Sequence, residues 1–88
     1  MYVIIVYDVD TDRNRPVLTF LRTHLNWVQN SVFEGEVTEA ELRSIKKQLH
    51  DLIDPGDDDS IIIYSFGSKS YVDRETIGEQ KGTTDRVI

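Results

Sequence analysis

Residues 2–8 read YVIIVYD, six apolar or aromatic residues that end on a carboxylate. β-branched and aromatic enrichment of this kind predicts a strand, with Tyr2, Ile4 and Val6 on one side and Val3, Ile5 and Tyr7 on the other. Both sides are apolar, so the strand belongs inside a sheet that is covered on both faces. Asp8, Asp10 and Asp12 follow within five positions. An acidic residue where a strand gives way to a loop is commonly a turn former that bonds its own backbone, and equally has the chemistry of a metal ligand. Asp10 and Asp12 precede a helix and read as turn or N-terminal charges that suit its dipole.

Outward from this strand, Pro16 is tolerated in the first turn of a helix, so the helix is expected to start near Asn14 as N-cap and end near Asn26. Val17, Leu21, Leu25 and Val28 supply its core-facing stripe. Residues 27–37, WVQNSVFEGEV, are strand formers interrupted only by Asn30, Ser31 and Gly35. They read either as one long strand or as a hairpin turning near Asn30. Thr38 with Glu41 forms a capping box and opens a second helix, whose apolar face is Leu42, Ile45, Leu49, Leu52 and Ile53 and which Asp54-Pro55-Gly56 stops. The run Asp57, Asp58, Asp59 reads as a solvated surface turn. Residues 61–66, IIIYSF, are the last strong strand, again apolar on both faces. What remains is polar, with Tyr71, Val72 and Ile77 isolated in it.

The order predicts an α+β protein, a ferredoxin-like βαββαβ arrangement with one antiparallel sheet covered by two helices and a C-terminal edge strand. Residues 1–78 form the domain and 79–88 a polar tail. Two helices cover one face only, and 88 residues hold no third layer. The second face is therefore expected to be buried against another copy in a homodimer, the alternative being that Tyr2, Tyr7 and Tyr64 make an exposed face look apolar.

Composition narrows the function. Cysteine is absent, which excludes disulfides and thiolate metal sites. No run approaches a membrane span and the opening apolar run lacks a basic flank, so a cytoplasmic, membrane-free protein is expected. Sixteen acidic against ten basic residues give a net charge of −6, contrary to simple electrostatic attraction of nucleic acid. There is no glycine-rich phosphate loop and no paired-histidine spacing. His24 and His50 stand singly on predicted helices, and Ser31 and Ser65 have no base nearby in sequence. A magnesium ion, however, takes only one or two protein carboxylates, and a two-fold dimer supplies two from one position.

YVIIVYD at residues 2–8, a helix, and then VQNSVFE at 28–34 resemble the two signature segments of CRISPR-associated protein 2, with the second helix and the IIIY strand at the spacing usual in that family. The resemblance runs from Met1 to about Tyr71. It implies a ferredoxin-like homodimer acting in the spacer-acquisition stage of CRISPR immunity. Family members are described as metal-dependent endonucleases on RNA or double-stranded DNA, and as the central dimer that bridges pairs of the CRISPR-associated integrase subunit, protein 1. By this resemblance Asp8 is the catalytic and metal-binding residue, with Mg²⁺ or Mn²⁺ as cofactor. Ser31 and Phe33 match the segment beside the dimer centre, and residues 69–78 are the candidate strand added to the partner's sheet. Arg13, Arg15 and Arg22, and the stripe Arg43, Lys46 and Lys47, are ordinary solvated helix positions by themselves and phosphate-backbone contacts under the resemblance. The acidic balance then implies weak, strongly salt-sensitive binding by the isolated dimer.

Two mechanisms stay open at this point. In one, paired Asp8 carboxylates hold the cation for phosphodiester hydrolysis. In the other, the dimer is a non-catalytic scaffold on duplex DNA. A regulatory ligand-binding domain of the same fold would predict a glycine-lined pocket, and none of the five glycines precedes the first helix.

Overall fold

In the computed structural model, which describes residues 1–82, the opening strand β1 (Tyr2–Asp8) is paired along both edges. The order continues with α1 (Thr11–Arg22), β2 (Asn26–Gln29), β3 (Val32–Glu36), α2 (Glu39–Leu52) and β4 (Ser60–Phe66). The sheet order is β2-β3-β1-β4, and all neighbours are antiparallel. This is the expected ferredoxin-like α+β fold. Ile5 lies opposite Phe33 of β3 and Ile63 of β4, and alternation sends all three to the helix side. There Val3, Ile5, Tyr7 and Phe33 pack with Val17 and Leu21 of α1 and Leu42, Ile45 and Leu49 of α2.

The hairpin alternative for residues 27–37 is the one observed. Asn30 adopts a left-handed φ of 45°, the conformation a two-residue turn needs and Asn tolerates. The Trp27 indole N–H donates to the Asn30 carbonyl at 3.0 Å. Gly35 lets Leu25 pack closely, since a Cβ there would sit 3.0 Å from the Leu25 side chain, which would have to give way. The capping box at Thr38 and Glu41 is also present, with reciprocal bonds of 3.0 and 2.8 Å.

The first helix differs from expectation at both ends. Its N-cap is Asp10, not Asn14, and the Asp10 carboxylate accepts from the Asp12 N–H at 3.0 Å. Pro16 thus lies inside the helix. The cap and the first-turn charge of Asp12 outweigh the single backbone hydrogen bond that proline removes. At the other end Thr23 stops the helix, its hydroxyl donating to the Phe20 carbonyl at 2.7 Å. Val28 therefore belongs to β2 and not to the helical stripe.

The acidic run is a second correction. Asp59 is buried, its side chain 1% exposed, because it serves as an anchor between two loops. Its carboxylate accepts from the Asp10 N–H at 2.9 Å, from the Asp54 N–H at 2.9 Å and from the Arg13 guanidinium. Arg13 reaches Asp57 as well, at 2.7 Å.

The other sheet face carries Tyr2, Ile4, Val6 and Asp8 of β1, Val32, Glu34 and Glu36 of β3, and Ile62 and Tyr64 of β4. Beyond β4 the chain makes a 3₁₀ turn at Lys69–Tyr71, and no further strand forms among the described residues. It then crosses this face. The Lys69 ammonium lies 6.0 Å from the Tyr2 ring centre, Arg74 pairs with Glu34 at 3.0 Å, and Gly82 comes so close to the carbonyls of Trp27 and Val28 that a Cβ would collide. Of the expected tail 79–88, residues 83–88 lie outside the described residues.

Phe33→Ala should destabilise the chain by about 3–5 kcal/mol, a large share of the roughly 5–10 kcal/mol expected for a domain of this size. Thermal unfolding followed by circular dichroism measures it. A second expectation concerns acid. The Arg13 bond, helped by the Asp54 and Asp10 amides and opposed by burial, holds the Asp59 carboxyl well below the usual carboxylate range. The unfolded chain then binds the extra proton first, so this stabilisation is complete above roughly pH 4 and is lost as pH falls further. Asp59→Asn should flatten that part of the melting-temperature profile while lowering stability at pH 7.

Candidate functional site

Asp8 is the last residue of β1 and lies opposite Ser60 in the β1–β4 ladder. Alternation puts its exposed side chain on the same face as Ile4 and Val6, at the rim of the apolar surface. Ile62 and Tyr64 of the neighbouring strand are each 52% exposed on that face, and Ile4, Val6 and Val32 are half-buried. Toward the Tyr2 end the face is covered by the segment after β4. Tyr2 is buried, and burial together with the adjacent Glu34 carboxylate pushes its phenol up to about 12. Glu34 itself is only 4% exposed and is neutralised by Arg74. The apolar surface left open is thus the end nearest Asp8.

Asp8 does not share its neighbours' roles. Asp10 turns its carboxylate onto the start of α1, and Asp12 sits in the first helical turn. Among the described residues no group of three or more His, Cys, Asp or Glu side chains is placed to hold a metal ion. Asp8 is thus an exposed hard-oxygen donor that belongs to no such group. That fits Mg²⁺ or Mn²⁺ as half of a site, in which a second copy and substrate phosphate would complete the coordination.

The S-V-F-E segment is divided between the two faces of the sheet. Phe33 faces the helices, fully buried, with its ring stacked near Tyr7 at 6.3 Å between centres. It cannot form part of the open face, because strand alternation gives that side to Val32 and Glu34. Ser31 sits in the hairpin turn, where its carbonyl accepts from the Tyr7 N–H at 3.1 Å. Burial raises the Tyr7 phenol, and a Ser31 hydrogen bond partly offsets the effect.

The basic residues are not gathered round Asp8. Arg13 is committed to Asp57 and Asp59. Arg15 and Arg22 on α1, and Arg43, Lys46 and Lys47 on α2, are exposed on the helical layer. Arg22 borders a hollow of ≈ 360 Å³ with Tyr7, Asn14, Trp27 and Asn30. Lys46 borders a groove of ≈ 430 Å³ between α2 and β4, with Leu49, His50, Ile61 and Ile63. His24 and His50 are exposed, the former against the Phe20 ring at 4.9 Å.

Sequence reasoning missed Glu34, Arg74 and Asp59. A glutamate directly after Phe33 in a strand was the only local signal for the first. The partners of all three are distant in sequence.

A family model described as CRISPR associated protein Cas2 matches residues 1–74. The CRISPR-associated endoribonuclease Cas2 of Methanocaldococcus jannaschii is 53% identical over 88 residues, covering 100% of this chain and 76% of that protein. The protein of the same name from Thermococcus kodakarensis is 51% identical over 88 residues and 100% of both chains. A solved structure described as the crystal structure of Cas2 matches with a TM-score of 0.86 at 41% identity, covering 100% of this chain and 98% of that one. Streptococcus pyogenes Cas2, solved at pH 6.5, matches with a TM-score of 0.74 at 40% identity over 89% of this chain and 100% of that one. A family model spanning most of the chain, relatives about half identical from end to end and the same fold in solved structures together make this chain a member of the CRISPR-associated Cas2 family.

Proposed function

We propose that two copies of this chain form a CRISPR-associated, divalent-cation-dependent endonuclease that hydrolyses phosphodiester bonds of RNA or double-stranded DNA. One observation carries the reading: an exposed carboxylate, Asp8, stands at the rim of an apolar sheet face that Ile62 and Tyr64 leave half exposed. A chain of this size gains by burying such a face. A two-fold axis through its open end brings a second Asp8 toward the first. The family's name in the archaeal relatives, endoribonuclease, agrees with the chemistry of such a pair.

Bound between the two carboxylates, Mg²⁺ or Mn²⁺ would supply Lewis-acid stabilisation of the charge that develops on the phosphate. The chain's own residues do the rest. Asp8 holds the cation at the end of a strand whose backbone is paired on both edges. Arg15, Arg22, Arg43, Lys46 and Lys47 stand free on the helices to hold phosphates without reading bases.

A second reading is favoured by the placement of those cations on the helical layer, while Asp8 lies on the opposite face of the sheet. In it the dimer is a scaffold that binds duplex DNA backbone and bridges the CRISPR integrase subunits, which perform the chemistry. Asp8→Asn distinguishes the two. Under the endonuclease reading it lowers Mg²⁺-dependent cleavage by at least about 100-fold. Unchanged cleavage sinks that reading. Retained spacer integration together with lost cleavage assigns integration to the scaffold alone.

The dimer has its own measurement. Light scattering at low micromolar concentration should give twice the 10.2 kDa chain mass, and Ile62→Asp should return it to the single-chain value. A monomer for the unsubstituted chain removes the two-carboxylate site.

A further inference from the structure

Asp59 has no free acceptor position. Its Oδ1 accepts from the Asp10 N–H at 2.9 Å and from Arg13 Nη2 at 3.3 Å, while its Oδ2 accepts from the Asp54 N–H at 2.9 Å and from Arg13 Nε. Asp57 takes a further bond from the same guanidinium. Both Asp59 oxygens are therefore fully engaged, which leaves no lone pair for a metal ion. Arg13, in turn, commits its Nε and Nη2 to the two carboxylates.

The location of this clasp carries the inference. Asp59 precedes Ser60, and Ser60 is the ladder partner of Asp8. Two consecutive residues of the α2–β4 connection thus grip two points of the opening motif, Ser60 at Asp8 and Asp59 at Asp10. Between those points Val9 is half-buried and packed against the core. The backbone that carries the Asp8 side chain is thus tied from the β4 side at Asp8 and again at Asp10, just past the end of its bonding on the β3 side, where the ladder ends at Val6 opposite Val32 and the Tyr7 N–H donates to the Ser31 carbonyl at 3.1 Å. Asp8 is a terminal strand residue held along the β4 edge only, and the clasp at Asp10 fixes the chain just after it.

We propose that Asp59, braced by Arg13, is a positioning residue for the Asp8 centre: it holds the Asp8–Asp10 backbone so that the Asp8 carboxylate meets the cation pre-oriented. This rests on the reading of Asp8 as a cation ligand. Outer groups of this kind govern metal affinity by ordering the ligand, and their loss costs about 10–100-fold in binding. The clasp also keeps its own charge out of competition, because each Asp59 oxygen is already engaged.

The test uses the full chain without nucleic acid, then with it. Mn²⁺ binding is read from paramagnetic broadening, and local order from backbone amide hydrogen exchange, in Asp59→Asn, Arg13→Lys and Asp8→Asn. In folded Asp59→Asn, exchange at the Asp10 amide should quicken at least about tenfold more than at the core amide of Ile5, whose change reports the loss of global stability, and the Mn²⁺ half-saturation should rise about tenfold. Cleavage should need correspondingly more Mg²⁺ but reach a similar rate at saturation. Arg13→Lys, which keeps the charge and loses the fork, should fall between wild type and Asp59→Asn. It carries the same readouts if Asp59→Asn fails to fold. Wild-type Mn²⁺ affinity in a folded clasp variant, with affinity lost in Asp8→Asn, overturns the positioning role alone. Equal affinity in wild type and Asp8→Asn overturns the cation reading and the clasp's functional role with it.

Discussion

The structure depends on β1 being paired along both edges and apolar on both sides. Hydrogen bonding to β3 and β4 satisfies its backbone, so the strand can be removed from water without unpaired polar groups. Its odd-numbered side chains then take the two helices. Its even-numbered side chains face outward, and 88 residues provide no second helical layer for them. The segment after β4 covers one end of this face, through Arg74 on Glu34 and Lys69 over Tyr2. The other end, with Ile62 and Tyr64, is left open.

The same constraint gives Asp8 its value. A carboxylate at the end of a buried strand cannot wander, because the ladder that orders its backbone also orders the core. The loop after it is held by charge instead of apolar packing. Asp59, Arg13 and Asp57 form an ion-pair cluster that joins the β1–α1 and α2–β4 connections, and removing Arg13 would strand the buried Asp59 charge. In an acidic chain, two of the ten cations, Arg13 and Arg74, are thus assigned to internal ion pairs, while Arg15, Arg22, Arg43, Lys46 and Lys47 are exposed on the helices.

Much of this was legible locally. The strand at residues 2–8, the division of its side chains between two faces, the capping box at Thr38 and the turn at Asn30 all rest on neighbours a few positions apart. Asp8 was also legible, as the carboxylate where an apolar strand ends. The start of α1 was not read correctly, because a proline rule competed with an aspartate cap and the rule could not weigh the two. Phe33 required the register against Ile5, which no local pattern supplies.

Sequence by itself determined the order of elements, the apolar content of each strand face and the candidate at Asp8, since these follow from side-chain period and turn chemistry. Only the tertiary structure decided that Asp59 is buried and that Arg13 is occupied. It also decided that Glu34 is paired with Arg74 and that Phe33 belongs to the core. The physical reason is distance along the chain: an ion pair between residues 13 and 59 exists only once β4 has been laid beside β1.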